Sequence, residues 1–154
     1  MTTVIARTVV RTVVPIVLVT AVALLLQGHN LPGGGFIAGV LTAAAIALVY
    51  VIYGEDYLQE EVLDREPTAG VAAFSEGLVG DYRTAFALGL ALAAGSGLVP
   101  VLLDEPFLTQ AVVFLEGLPV YGTFEVASAI AFDVGVYLVV VGALLTIVSV
   151  VGSE

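Results

Sequence analysis

Four long apolar runs, each free or nearly free of charge, constrain what this chain can become more than anything else in it. They cover about residues 5–27, 36–53, 84–103 and 126–151, and each is near or above the roughly 17 to 25 residues that a helix needs to cross the hydrocarbon core of a bilayer. Lipid offers no water to an unpaired backbone group, so a spanning segment of this kind closes its hydrogen bonds within itself as an α-helix. Of the 154 residues 60% are hydrophobic and 12% charged, against about 25% charged in soluble domains. A water-soluble fold of this size cannot hide so much apolar surface. The expected fold is an all-α integral membrane protein, with residues 1–154 forming a single membrane domain: a bundle of four transmembrane helices.

The first run starts with an amphipathic stretch whose Arg7 and Arg11 can snorkel to the surface. A secretory signal peptide competes with that reading, but the small-residue triplet Ala21-Val22-Ala23 lies inside the apolar run and is followed by three leucines, which places a cleavage site badly. Pro15 is expected in the first turns of this helix or at a modest kink. A shorter run, Phe107 to Leu115, follows Asp104-Glu105-Pro106, an acidic cap and a proline suited to a first helical position. Too short to span, it is expected as a short interfacial helix between the third and fourth spans.

Charge narrows the function. The net charge is −10, lysine and cysteine are absent, and the basic residues are Arg7, Arg11, Arg65 and Arg83. They form no patch for phosphates, so no nucleic acid is expected as a partner. One histidine and no cysteine leave no metal cluster, and no nucleophile with a nearby base or cofactor fingerprint stands out, so neither an enzyme nor a cofactor is expected. Residues 54–83 hold eight acidic residues against two arginines and are expected as a solvated acidic loop; with the missing lysine they fit a salt-loving source. With four spans, all four arginines fall on one side, and the positive-inside rule makes that side cytoplasmic, together with both termini and the acidic loop.

Small residues recur every four positions at Gly35, Gly39, Ala43 and Ala47, at Gly89, Ala93 and Gly97, and at Ala127, Ala131 and Gly135. Such faces let helices approach closely, within this bundle or against other subunits. The turn Gly28-His29-Asn30-Leu31-Pro32-Gly33-Gly34-Gly35-Phe36 lacks the Lys-Ser or Lys-Thr of a phosphate loop. It leads into the start of the second helix, where unpaired N–H groups attract an anion or a neighbour's carboxylate; His29 and Asn30 are candidates for subunit contact or proton access. The fourth run places Asp133 about two turns inside a helix otherwise free of charge, with Glu125 at its mouth and Tyr137 one turn further along in reach of a hydrogen bond. A carboxylate near mid-bilayer costs about 2.5 to 3.5 kcal/mol on insertion scales, so it faces a bundle interior or a wet cavity. Asp133 and Glu125, about 12 Å apart along a helix, are candidates for two stations on an ion or proton path, and helix packing is the competing role for Asp133.

Gly28 to Phe36, Phe107-Leu108-Thr109, and the stretch from Phe124 to Gly142 together resemble the B subunit of the Mrp-type (also called Mnh) multisubunit Na+/H+ antiporters. The acidic 54–83 loop departs from that pattern. The resemblance implies a small membrane subunit of a hetero-oligomeric cell-membrane transporter that exports Na+ in exchange for H+ and supports pH homeostasis, with other subunits and membrane lipid as partners. Related subunits occur in hydrogenase-type, redox-driven ion pumps, and a free-standing scaffold is a third context.

Orientation has a direct test, since the chain is naturally free of cysteine. A single cysteine placed in the 54–83 loop should stay unreactive toward an impermeant thiol reagent added outside intact cells and react once the membrane is opened. Labelling from outside would reverse the topology.

Overall fold

The structure, a computed structural model, describes residues 4–28, 31–53, 71–109, 112–118 and 122–152, with the backbone alone for 71–80, 112–118 and 122–127. Four helices are long and apolar enough to cross a membrane: α1 (Val4–Gln27), α2 (Gly35–Tyr53), α3 (Val71–Leu102) and α4 (Ala129–Gly152). The chain is a multi-pass membrane protein. Large apolar side chains such as Ile16, Val19, Leu88, Leu90, Leu98 and Leu102 lie exposed on the outer helices, which suits a surface facing acyl chains.

Boundaries follow from local chemistry. α1 passes through Pro15, which stands well inside the helix rather than in its first turns; the missing N–H leaves one carbonyl a turn earlier without its usual donor. α3 has 32 residues, about 48 Å at 1.5 Å per residue, longer than the roughly 30 Å hydrocarbon core. Its apolar portion is Asp81–Leu102, so much of the 54–83 segment expected as loop is helical from Val71 onward. Residues 54–70, with Arg65, lie outside the described residues.

The segment between α3 and α4 corrects two expectations. Among the described residues of Phe107 to Leu115 none is helical. Leu108 takes a left-handed φ of 64°, which an α-helix cannot accommodate, and its N–H bonds the Gly97 carbonyl at 3.2 Å, folding the turn back onto α3. Beyond it stand two antiparallel strands, β1 (Val112–Leu118) and β2 (Gly122–Ala127), in a register that pairs Phe114 with Glu125 and Leu115 with Phe124. Glu125 therefore lies on a strand and not at the start of the fourth helix, which begins at Ala129. β-branched and aromatic residues on either side of Gly117, Pro119 and Gly122 are the hairpin signal.

α4 is the axis of the bundle: α3 packs along one side, α2 along another, and α1 lies against α2. Glycines set how closely these neighbours approach. A Cβ added at Gly89 of α3 would sit 2.7 Å from the Gly135 carbonyl oxygen and the Val139 nitrogen of α4, and one at Gly135 2.6 Å from the Ala93 nitrogen. The recurring small residues of α2 and α3 are thus used at least in part inside the chain, whereas Ala131 is exposed and Ala127 belongs to β2.

Two neighbouring glycines separate packing from propensity. Gly89→Ala should destabilise by about 1 to 3 kcal/mol, because backbone atoms cannot move aside cheaply. Gly95 has nothing within 4 Å of an added Cβ, so Gly95→Ala should be neutral or stabilising by up to about 1 kcal/mol from helix propensity. Thermal unfolding of the two variants in detergent, side by side, measures the difference.

Candidate functional site at the start of the second helix

The glycine-rich turn is built to end α1 and begin α2 in a few residues. Two of the last carbonyls of α1 find donors in it: Leu31 N–H bonds the Gln27 carbonyl and Gly34 N–H the Leu24 carbonyl, both at 2.9 Å. Gly34 has φ of 92°, which side chains resist, and its carbonyl accepts the first bond of α2, from Ala38 N–H at 3.1 Å. Gly34 is thus the N-cap of α2, a position where serine, threonine or aspartate normally supplies an oxygen to the exposed N–H groups. Glycine has no such oxygen to offer.

Asp133 of α4 supplies it. Its Oδ1 accepts a long hydrogen bond from Gly35 N–H at 3.4 Å, and a Cβ at Gly34 or Gly28 would stand 3.3 or 3.2 Å from its carboxylate oxygens. The approach needs glycine at position 35 as well, since a Cβ there would overlap the Asp133 carbonyl oxygen. The carboxylate faces the positive end of the α2 dipole.

This placement revises the expected depth. α4 begins at Ala129, so Asp133 is about 6 Å along the helix, one turn inside rather than two, and half-buried. Its cost is correspondingly lower than at mid-bilayer. Tyr137 is one turn deeper, but its hydroxyl donates to Thr42 Oγ1 at 3.2 Å, where a bond to Asp133 had been expected. Thr42 is 7% exposed and is the one polar side chain in α2 between Phe36 and Val49, a signal that could have singled it out. The structure therefore brings together Gly28, Gly34, Gly35, Asp133, Tyr137 and Thr42. Gly33 lies over the Leu24 carbonyl, and the Pro32 carbonyl accepts from the Gln27 side chain at 3.3 Å. His29 and Asn30 lie outside the described residues, as does the Glu125 side chain.

Replacing Asp133 by Ala removes the acceptor at the start of α2 and should cost about 0.5 to 2 kcal/mol, the range for a lost N-cap. Asp133→Asn keeps an acceptor oxygen and should cost less. Tyr137→Phe should cost about 0.5 to 1.5 kcal/mol through the bond to Thr42. Thermal unfolding of the purified variants ranks the three, and equal stability of Asp133→Ala and the parent would remove Asp133 as the cap.

Comparison with known proteins places these features in a family. The domain described as related to the MnhB subunit of Na+/H+ antiporter matches residues 5–146. The B subunit of the Na(+)/H(+) antiporter from Alkalihalophilus pseudofirmus is 34% identical over 98% of this chain and 93% of its own. The protein of the same name from Bacillus subtilis is 34% identical over 90% of this chain and 85% of its own. A chain of the solved Mrp complex from Dietzia sp. DQ12-45-1b is similar in fold, with a TM-score of 0.66 and 27% identity over 93% of this chain. This chain corresponds to 13% of that longer one. The four-helix chain with its Asp133-capped second helix belongs to the MnhB family.

Proposed function

We propose that the chain serves as the B-type subunit of a multisubunit Na+/H+ antiporter in the cell membrane, with other membrane subunits as partners and Na+ and H+ as the transported ions. The observation that carries this reading is likeness to antiporter B subunits along nearly the whole of both chains, so it rests on all four helices and not on a shared fragment. Its contribution is to transport rather than to covalent catalysis.

Within that complex Asp133 acts on the ion or proton path and Glu125 at its entrance. A half-buried carboxylate beside helix N–H groups can take up and release a proton or a cation, and the Tyr137–Thr42 pair lies one turn further in. Both termini are cytoplasmic: Arg7 stands in the first turn of α1 and Arg83 near the start of the apolar part of α3, and the positive-inside rule favours arginines on the cytoplasmic side.

Asp133→Asn tests the role because it keeps an acceptor for Gly35 and removes the titrating charge. The complex should still assemble, while Na+/H+ exchange in membrane vesicles falls about tenfold, equivalent to about 1.4 kcal/mol, or moves its pH dependence. Glu125→Gln should do less. Normal exchange by assembled Asp133→Asn across the pH range would assign the residue to packing alone.

A further inference from the structure

At the end of the bundle opposite Asp133, α2, α3 and α4 converge on a second polar cluster. Tyr50 of α2, Tyr82 of α3 and Ser149 of α4 line a cavity of about 10 Å³ whose remaining wall is apolar, including Ile46 and Leu145. Ser149 is only 6% exposed. Helical hydroxyls usually bond a carbonyl of their own preceding turn, and Thr146 nearby does so, donating to the Gly142 carbonyl at 2.6 Å. Ser149 makes no such bond among the described residues, and a buried hydroxyl left unpaired is costly.

We propose that a single ordered water binds between Ser149, Tyr50 and Tyr82 and bridges the three helices. Size fits one guest: about 10 to 15 Å³ of this kind of space holds one water, which needs two to four polar partners. The chemistry fits a neutral guest, since the polar lining residues are two tyrosines and a serine with no carboxylate among them, whereas a hard cation draws several oxygens with negative charge among them. An apolar guest would leave Ser149 unpaired. The site does not depend on the antiporter reading.

The test is a map of the assembled complex at a resolution that shows buried waters. A peak should lie within about 3 Å of Ser149 Oγ and of at least one tyrosine hydroxyl. Ser149→Val, whose added methyl group fills the space, should abolish the peak. Ser149→Ala, smaller than serine and free of steric risk, should weaken it or shift it toward the tyrosines. A map that shows other buried waters but none here, or Ser149 bonded to the Leu145 carbonyl, would overturn the proposal, as would a peak unchanged in Ser149→Ala.

Discussion

The contact between the Asp133 carboxylate and the first N–H of α2 is the interaction on which the rest of the arrangement depends. A helix that begins near the edge of a bilayer exposes backbone donors where water is scarce, and each must find an acceptor. The glycines at 33 to 35 let the chain turn tightly out of α1, but they deprive α2 of a capping side chain. Importing the acceptor from α4 solves this and fixes the two helices in register. The same glycines that create the need allow the approach that meets it, because any Cβ at Gly35 would collide with the α4 backbone.

From that anchor α4 becomes the element that every other part is measured against. Gly135 and Gly142 lie against α3, and Gly39 of α2 lies against Val140 and Tyr137. Among the described residues these contacts bring backbones together without any large fully buried side chain, as expected where lipid supplies no hydrophobic drive between helices. The outer faces of α1 and α3 keep their large apolar side chains for lipid or for neighbouring subunits.

The four spans were legible because length and apolar composition alone decide whether a segment can cross a bilayer. Asp133 stood out because a charge in such a segment is costly enough to need a reason, and the glycine turn pointed to an anion or a neighbour's carboxylate at the start of α2, but nothing in the sequence joined the two. Its depth was misjudged because the apolar run continues through Val126 and Ala127 into a strand, and composition does not mark where a strand hands over to a helix. Only Thr123 to Val126 alternates polar and apolar, while Val112 to Leu115 is a continuous apolar run, and such a run cannot be told from a buried helix segment by periodicity. The Tyr137–Thr42 bond joins residues 95 positions apart, and only the packing of α2 on α4 selects Thr42 over Asp133 as the partner.

The distribution of polar groups along the α2–α4 seam bears on what one such chain can do. Asp133, Tyr137 and Thr42 occupy one end, and Tyr50 and Ser149 the other. Between Thr42 and Tyr50 every residue of α2 is apolar, a stretch of about 12 Å. On α4 the polar side chain between Tyr137 and Ser149 is Thr146, whose hydroxyl is already spent on the Gly142 carbonyl. Ala43, Ala45 and Leu145, each under 5% exposed, close the middle. Among the described residues this seam therefore has no free polar side chain over its middle stretch. On the proposed reading of Asp133, a path across the membrane needs polar groups from outside this seam, which fits a chain that works within a complex.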